Sequence, residues 1–395
     1  MKLSFVTANL GSGGAERVIS LLANEFDKHG YQVEIIFLKE RRVFYPVNPL
    51  VNLVIADEEC LSSNMLKKMW WFRRYIKRTK PDVVVPFRVS VYCTTILSLL
   101  GISVPIVASE RIDPHIPDSY WTILRKLFLP FVKHLVVQTS YIKSYYPKFI
   151  QKKTSVIPNP VREEAFENPR MDSRVQSSKR KRADSYDHSG HDFCHNSSKR
   201  TSLTDLVAPK IQSSKQNRII SVARLAPQKN QQMMIRAFAK IANEFPDWQL
   251  VIFGEGPLRS SLELIVKSLQ LEGKVLLPGR TEHVIDELRK SKIFCFSSDY
   301  EGLSNSMIEA LCVGLPIVTT NVSGTEDIIV DGDNGFIVPI NDEDAMMQSL
   351  RVLIADEQLM REMGERNRQK AHIFSIDGIY VQWEEIIQSV VKDGN

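Results

Sequence analysis

The 395-residue sequence contains no apolar run approaching the roughly 20 residues that a membrane-spanning helix needs. Its five cysteines are widely spaced and form no Cys-x-x-Cys pair, which favours a reducing cytosol and argues against a disulfide framework. The apolar run at residues 3–8 is shorter than the core of a signal peptide and leads directly into a glycine loop. We therefore expect a cytoplasmic protein that begins with a buried strand.

Acidic residues are scarce in one part of the chain. The net charge is +5, but residues 61–153 hold 16 Lys and Arg against 4 Asp and Glu, a net of +12. Residues 168–217 hold 10 against 5, a net of +5, so the rest of the chain sums to −12. Such a basic region predicts an anionic partner, which can be phosphate, anionic lipid or nucleic acid.

The middle of the chain, residues 168–217, is rich in Ser, Lys, Arg, Asp and Asn, which is typical of a disordered linker. Its basic tracts, residues 179–182 and 199–200, match a bipartite nuclear signal or a nucleic-acid patch. Short basic tracts match by chance, so we favour a solvated insertion and do not expect nucleic acid as a partner. Four residues nearby have the spacing of metal ligands: His188, His191, Cys194 and His195. No second ligand cluster accompanies them, so we expect no zinc site.

On either side of this segment, short apolar runs alternate with helix-length amphipathic stretches. The predicted strands of the first array are residues 3–7, 33–38, 82–86, 105–109, 135–138 and 155–157. Those of the second are residues 218–222, 249–253, 275–277, 293–296 and 317–319. Continuous Val and Ile runs with helices between them predict parallel sheets covered on both faces. The expected fold class is α/β, with two doubly wound, Rossmann-like domains and a ligand cleft beyond the carboxyl ends of the strands.

The first motif with chemical meaning is a glycine loop between a strand and a helix, residues 11–17 (GSGGAER). Gly13 and Gly14 let a ligand approach the backbone closely, and the helix N-terminus offers free N–H groups to a phosphate. The loop is not a dinucleotide fingerprint, because G-x-G-x-x-G would need glycine where Glu16 stands. Taken alone it is a weak signal, and a tight turn is the plainer interpretation.

The second motif, residues 223–230 (ARLAPQKN), follows the first strand of the second array. Its two cations, Arg224 and Lys229, lie at a strand end and a helix start, where they can clamp a diphosphate with the help of the helix dipole. A solvated turn is the ordinary alternative. The position beside the expected cleft favours the functional interpretation.

The third motif, residues 301–309 (EGLSNSMIE), carries two carboxylates. If a helix begins at Asn305, Glu309 lies in its early turns and Glu301 lies in the loop before it. One carboxylate can then hold sugar hydroxyls and the other a ribose diol, because a carboxylate accepts two hydrogen bonds at once.

With these motifs in this order and spacing, the sequence resembles the retaining GT-B glycosyltransferases of family 4. The segments that carry the resemblance are residues 13–17 (GGAER), 222–225 (VARL), 228–230 (QKN), 254–257 (GEGP), 278–280 (PGR) and 301–309 (EGLSNSMIE). The resemblance covers nearly all of the chain outside residues 168–217. It is greatest to enzymes that build lipid-linked or surface polysaccharides in bacteria.

The resemblance implies a GT-B fold and an order of segments. Residues 1–167 form an N-terminal, acceptor-side Rossmann-like domain, and residues 168–217 form the polar linker. Residues 218–375 form the C-terminal, nucleotide-sugar-binding Rossmann-like domain. Residues 376–395 form a C-terminal helix that returns towards the first domain.

The resemblance also implies roles for individual residues. Arg224 and Lys229 match the pair that neutralises the donor diphosphate. Glu309 matches the carboxylate on the ribose, and Glu301 matches the carboxylate near the transferred sugar. Together with Arg111, we take Glu301, Arg224 and Lys229 as the catalytic set. The other predicted substrate-binding residues are Gly13, Gly14, Gly254, Glu255, Arg280, Gly302, Leu303 and Ser304.

The implied reaction moves a hexose or N-acetylhexosamine from a nucleotide-diphosphate sugar, with UDP as the expected carrier, to a lipid-linked or polysaccharide acceptor. Two cations and a helix N-terminus stabilise the charge on the leaving diphosphate, so neither a metal nor a cofactor is expected. No general base is evident. Some family members carry His where Arg111 stands, and Arg111 can instead bind a donor or acceptor phosphate. Glu110 and Asp113 beside it have a plainer explanation in helix capping and turn formation.

The last feature is residues 67–80, which hold seven basic residues, four aromatic residues and no acid. Basic and aromatic residues interleaved on a helix suit an anionic membrane surface. The alternative is one core face and one solvated face, but adjacent Trp70 and Trp71 do not easily share one buried face. We therefore expect peripheral contact with the inner face of the cytoplasmic membrane. Two other functions stay open: a GT-B-type nucleotide-sugar epimerase, and a nucleic-acid-binding or scaffolding protein that uses the basic insertion.

Overall fold

A computed structural model of the protein describes residues 1–11, 13–39, 43–56, 58, 64–114, 119–166 and 215–392. Most of the predicted linker, with its basic tracts and its histidine-rich tract, lies outside the described residues.

The N-terminal sheet is built from seven strands numbered in chain order: Lys2–Thr7 (β1), Gln32–Phe37 (β2), Asn52–Ile55 (β3), Val83–Pro86 (β4), Val107–Ser109 (β5), His134–Val137 (β6) and Thr154–Val156 (β7). All of the pairings are parallel, with β1 between β2 and β4. Bridges from Val84 to Ile106 and from Phe87 to Ser109 join the four-stranded and three-stranded ladders. The strand order is therefore β3-β2-β1-β4-β5-β6-β7.

The C-terminal sheet is built from six strands: Arg218–Val222 (β8), Gln249–Phe253 (β9), Val275–Gly279 (β10), Ile293–Phe296 (β11), Ile317–Thr320 (β12) and Gly335–Val338 (β13). They are also parallel and lie in the order β10-β9-β8-β11-β12-β13. Both sheets thus begin with the 3-2-1-4-5-6 order of a doubly wound Rossmann-like fold. The predicted α/β class is confirmed.

The described helices are Gly14–Lys28 (α1), Met65–Thr79 (α2), Val89–Leu99 (α3), Ser119–Phe128 (α4), Ser140–Tyr145 (α5), Lys148–Gln151 (α6), Gln231–Ala239 (α7), Arg259–Ser268 (α8), Val284–Arg289 (α9), Asn305–Val313 (α10), Thr325–Ile328 (α11), Glu343–Ala355 (α12), Glu357–Lys370 (α13) and Ile376–Lys392 (α14). Each sheet has a buried apolar cluster on both of its faces, as parallel strands require. Among the described helices, none is long and apolar enough to cross a bilayer.

Every predicted strand is present, with ends that differ by at most two residues. The sequence analysis missed two strands, Asn52–Ile55 and Gly335–Val338. The first begins with Asn and the second with glycine, and both residue types are depleted in strands.

The last helix, α14, packs against the N-terminal sheet and not against the domain that precedes it. Tyr380 meets Phe26 of α1 at a ring-centroid distance of 4.8 Å, and Trp383 is fully buried against Phe87. The hydroxyls of Tyr31 and Tyr380 both donate to Glu384. These contacts tie the end of the chain to the N-terminal domain.

Candidate functional site

Three loops at the carboxyl edge of the C-terminal sheet are held together by backbone hydrogen bonds. The Ala223 N–H donates to the Phe253 carbonyl at 3.0 Å, and the Gly254 N–H donates to the Gly279 carbonyl at 2.8 Å. Gly254 has a φ of +149°, and a Cβ at this position would overlap the Ala223 carbonyl oxygen. Glycine therefore allows the loop after β9 to lie directly on the loop that carries Arg224.

Lys229 and Glu301 are in direct contact on this edge. Lys229 ends the 3-10 turn Pro227–Lys229, and the Ser297 hydroxyl donates to its carbonyl at 2.9 Å. Its ammonium pairs with Glu301 Oε1, which also accepts from the Ser298 hydroxyl at 3.0 Å. The two side chains are 18% and 12% exposed, so the pair is accessible but partly desolvated. Two motifs that lie far apart in the sequence thus build one charged centre.

Helix α10 brings Glu309 to the interface between the domains. The helix begins after Ser304, whose hydroxyl accepts from the Met307 N–H at 3.4 Å as an N-cap. The Glu309 carboxylate is 7% exposed and pairs with Arg17 of α1. The carboxylate predicted to bind a ribose therefore meets a cation from the N-terminal domain.

The glycine loop lies against the start of α10. Gly13 is the N-cap residue of α1, and a Cβ added to Gly14 would lie 3.0 Å from the Asn305 amide nitrogen. One turn into α1, Glu16 pairs with Arg88 at 2.8 Å. The loop after β1 thus contacts the start of α10, the helix that follows β11. Such a contact is expected when two sheets face each other across a cleft.

Arg224, Glu255 and Arg280 lie on the three loops at the carboxyl edge of the C-terminal sheet. The side chains of Arg224 and Arg280 are exposed, and Glu255 pairs with Arg259 at 2.7 Å. Hydrogen bonding to Arg259 and the charge of the neighbouring Arg280 lower the pKa of Glu255. Their roles on the nucleotide side remain predictions.

Arg111 is buried, in contrast to the other residues of the predicted catalytic set. Its guanidinium lies beside the stacked rings of Phe87 and Trp383, at 5.2 and 5.8 Å from the ring centroids. Its Nε donates to the Ser109 hydroxyl at 2.8 Å, while Nη2 has no hydrogen-bond partner among the described residues. Burial lowers the pKa of Arg111 to about 9. Arg111 is therefore a buried cation with one unpaired donor among the described residues.

Asn159 connects Arg111 to the third motif, and the sequence analysis missed it. Its Oδ1 accepts from Arg111 Nη1 and from Gln138 Nε2, each at 2.8 Å. Its Nδ2 donates to Asn305 Oδ1 at 2.6 Å and to the Leu303 carbonyl at 3.3 Å. One amide that is 2% exposed thus joins the N-terminal domain to the loop before α10.

Gly302 and Leu303 lie at the same interface. A Cβ on Gly302 would lie 2.5 Å from the Gln138 Oε1 and 2.9 Å from the Arg111 carbonyl oxygen, so glycine permits this close approach. Leu303 is 7% exposed. These two residues pack between the domains, next to Glu301 in the sequence. Their contacts with a substrate remain predictions.

Glu110 does not cap a helix, contrary to the plainer explanation that its position suggested. It is fully buried, pairs with Arg125 of α4 at 3.1 Å and accepts from the Tyr92 hydroxyl at 3.2 Å. Burial raises its pKa, and Arg125 opposes that shift.

Among the described residues, no group of three or more His, Cys, Asp or Glu is placed to hold a metal ion.

Comparisons with known proteins agree with this arrangement. Residues 12–165 match the family described as Glycosyltransferase Family 4, and residues 206–370 match Glycosyl transferases group 1. The chain belongs to the family 4 glycosyltransferases with the GT-B fold.

This glycosyltransferase has a relative in Campylobacter jejuni that aligns along the whole chain. That enzyme is named GalNAc-alpha-(1->4)-GalNAc-alpha-(1->3)-diNAcBac-PP-undecaprenol alpha-1,4-N-acetyl-D-galactosaminyltransferase. The two are 28% identical over 399 aligned residues, which cover 99% of each chain. No large part of either protein is therefore left out of the comparison.

Two solved structures share the fold of this glycosyltransferase. HepE from Anabaena, in complex with UDP, has a TM-score of 0.74 at 14% identity, over 98% of this chain and 100% of that chain. Sucrose-phosphate synthase from Thermosynechococcus elongatus has a TM-score of 0.78 at 15% identity, over 100% of both chains. At these identities the likeness establishes the fold.

Proposed function

We propose that the enzyme transfers a hexose or N-acetylhexosamine, with retention of anomeric configuration, from a UDP-sugar to a lipid-linked or polysaccharide acceptor of cell-surface glycan biosynthesis. The observation that carries this proposal is the contact between Lys229 and Glu301 at the edge of the C-terminal sheet. Glu309 lies eight residues further along the same segment and pairs with Arg17 of α1 in the other domain. The group thus combines a cation for phosphate with two carboxylates for hydroxyls.

The chemistry that this group supports is departure of a nucleoside diphosphate. As the anomeric bond breaks, negative charge develops on the diphosphate, and Lys229 and Arg224 can stabilise it where it forms. The N–H groups at the start of α10 add to that stabilisation. Because protein cations neutralise the leaving group, the proposed reaction requires neither a metal ion nor a cofactor.

UDP is the proposed nucleotide because HepE, which shares the fold, forms a complex with UDP. Glu309 is the proposed ribose ligand, since a carboxylate can accept hydrogen bonds from both hydroxyls of a diol. The acceptor class is proposed from the Campylobacter jejuni relative, whose name describes an undecaprenol-diphosphate-linked glycan.

A lipid-linked acceptor implies contact with a membrane, and the N-terminal domain has a surface suited to it. On α2, Trp70 is 61% exposed, with the Arg74 guanidinium 4.5 Å from its ring centroid. Trp71 is half-buried against Tyr75, so the expectation that the two tryptophans do not share a buried face is confirmed. Exposed apolar and basic side chains on one helix suit an anionic bilayer surface.

Helix α4, which packs against α3, and the turn after it carry further exposed apolar side chains. Its exposed large apolar side chains are Tyr120, Ile123, Leu127 and Phe131. Arg73 of α2 donates to the carbonyls of Ser98 and Leu100 at the end of α3. These hydrogen bonds fix α2 beside α3, and α3 in turn packs against α4. We define the membrane-facing surface as Leu66, Trp70 and Arg74 with these four residues. Peripheral attachment to the inner face of the cytoplasmic membrane is the proposed location.

The test is a panel of nucleotide sugars, each incubated with the enzyme in the presence and absence of polyprenyl-diphosphate-linked glycans. We expect one UDP-sugar to extend an acceptor by one sugar, with the donor's anomeric configuration retained in the NMR spectrum of the product. Conversion of the donor to its epimer without acceptor would instead favour an epimerase. If no nucleotide sugar binds, the proposed function is wrong.

A further inference from the structure

Arg17 is placed unusually for a residue of the N-terminal domain, because its charge partner belongs to the other domain. It lies in the first turns of α1, just after the glycine loop, and its side chain is 11% exposed. Its guanidinium pairs with Glu309 of α10. Its Nε is buried and has no hydrogen-bond partner among the described residues. Arg17 is thus a largely buried cation with one N–H donor that has no partner among the described residues.

The Arg17–Glu309 pair competes with the proposed role of Glu309. A ribose diol that binds both carboxylate oxygens competes with Arg17 for Oε1, to which Arg17 is already paired. Removing a partner from a buried cation is costly unless another anion replaces it. A ligand that takes Glu309 must therefore supply Arg17 with a new negative charge.

The diphosphate of a nucleotide sugar can supply the negative charge that replaces Glu309 beside Arg17. Arg17 pairs with Glu309, Lys229 pairs with Glu301 and Arg88 pairs with Glu16, while the Arg224 side chain is exposed. A nucleotide sugar brings two negative charges on its diphosphate and several hydroxyls. Hydroxyls can donate to the carboxylates while phosphate oxygens accept from the cations, so that each charged group keeps a hydrogen-bond partner.

Two of the three pairs are suited to such an exchange. Arg17–Glu309 and Lys229–Glu301 each contain a carboxylate with a proposed sugar or ribose partner. Arg88–Glu16 lies within the N-terminal domain and contains no residue with a proposed donor contact. It can persist when the donor binds.

We infer that Arg17 is a third cation for the donor diphosphate, supplied by the N-terminal domain, and that it exchanges Glu309 for phosphate oxygens when the donor binds. This inference rests on the proposed function. It gives the acceptor-side domain a direct contact with the leaving group. It also makes that contact depend on the diphosphate and not on the nucleoside.

The test compares binding of UDP and of uridine to the wild-type enzyme and to Arg17→Gln, by calorimetry for UDP and by ligand-detected NMR for uridine. In the variant, UDP affinity should fall by roughly tenfold or more, the value of a charge-assisted hydrogen bond. Uridine affinity should stay the same or rise, because Glu309 is freed. The ratio of UDP affinity to uridine affinity therefore falls.

The other outcomes are distinct. If both affinities rise by the same factor, Arg17 only blocks the ribose position and the exchange is wrong. If both fall by the same factor, Arg17 is structural and the inference is also wrong. If the wild-type enzyme binds no UDP, the proposed donor fails first, and the inference fails with it.

Matched variants separate these outcomes from misfolding. Arg351→Gln removes a comparable Arg–Glu pair, 2.9 Å to Glu244 on the surface of the C-terminal domain, and should leave the UDP-to-uridine ratio unchanged. Arg17→Lys keeps the charge and should retain part of the UDP preference that Arg17→Gln loses. Thermal unfolding of each variant identifies any loss of the fold.

Discussion

The two domains share a strand order but contribute to the cleft in different ways. The C-terminal domain presents Arg224, Lys229, Glu301 and Glu309 from short segments that directly follow strands β8 and β11. Those strands are neighbours in the sheet. The N-terminal domain contributes through contacts between distant residues, such as Arg17 with Glu309 and Asn159 with Asn305. The C-terminal wall thus comes from two loops that follow neighbouring strands, whereas these contacts of the N-terminal domain join the two domains.

The charged pairs of the two domains also differ in accessibility. The side chains of Lys229 and Glu301 are 18% and 12% exposed, so a ligand can reach them. The side chains of Arg125 and Glu110 are 5% and 0% exposed and lie within the N-terminal domain. The first pair is suited to exchanging partners, and the second is suited to fixing α4 against β5.

The largest expected effect is loss of the accessible pair. Lys229→Ala removes a cation from the proposed leaving-group site, so kcat/KM for sugar transfer should fall by about a hundredfold or more. The matched control is Lys240→Ala, which removes a surface lysine 2.8 Å from Asp344 in the same domain and should leave transfer unchanged. Equal activity of the Lys229 variant and the wild-type enzyme would show that Lys229 takes no part in the reaction.

Loss of the buried Arg125–Glu110 pair should affect stability instead of activity. Arg125→Gln leaves Glu110 buried without its cation, so the free energy of unfolding should fall by about 3–5 kcal/mol. Burial already raises the pKa of Glu110, and loss of Arg125 raises it further. The unfolded chain then ionises at lower pH than the folded protein, and the loss of stability grows as pH rises above the ordinary carboxyl range.

Denaturant unfolding of Arg125→Gln at several pH values checks this expectation. The double variant Glu110→Gln, Arg125→Gln has no carboxyl at position 110 and should lose the pH-dependent part of the destabilisation. A single variant whose stability deficit is constant from pH 4 to pH 8 would show that Glu110 is not held in a buried, cation-dependent state.

A smaller effect is expected at the membrane-facing surface. Trp70→Glu places a negative charge where an anionic bilayer is proposed to lie, and binding to anionic lipid vesicles should weaken by about tenfold. Leu264→Glu changes a residue that is 68% exposed on the C-terminal domain and should not alter vesicle binding. Equal effects at both positions, measured by vesicle sedimentation, would mean that no specific face contacts the membrane.

The smallest expected effect is that of chelation. Because Arg224 and Lys229 are proposed to neutralise the diphosphate, EDTA should leave the rate of sugar transfer unchanged, and added Mg²⁺ should not increase it. Loss of transfer in EDTA, with recovery on addition of a divalent cation, would contradict metal independence.

The contrast between the domains also explains what the sequence could predict. Lys229 and Glu301 follow the ends of strands, and the carboxyl ends of parallel strands meet at one edge, so their common location was predictable. The burial of Arg111 beside Phe87 and Trp383 was not, because Trp383 comes from the last helix. Glu110 was interpreted as a possible cap because its partner, Arg125, lies on a helix whose packing no local pattern reveals.

Asn159 and Arg17 show the same limit. Asn159 makes four hydrogen bonds to four residues in different parts of the chain, and none lies within its own loop. Arg17 belonged to the glycine-loop motif, and that position was the one available signal. Its partner on the other domain could be identified only from the packing of the two sheets.

The central claim is that both walls of the cleft bind one nucleotide sugar, and a crystal structure of the enzyme with UDP tests it most directly. The account predicts the ribose hydroxyls on Glu309, and the diphosphate within hydrogen-bond distance of Lys229 and of the N-terminal domain's Arg17. UDP bound elsewhere, or bound here while Arg17 stays on Glu309 and the phosphates face solvent, would contradict it.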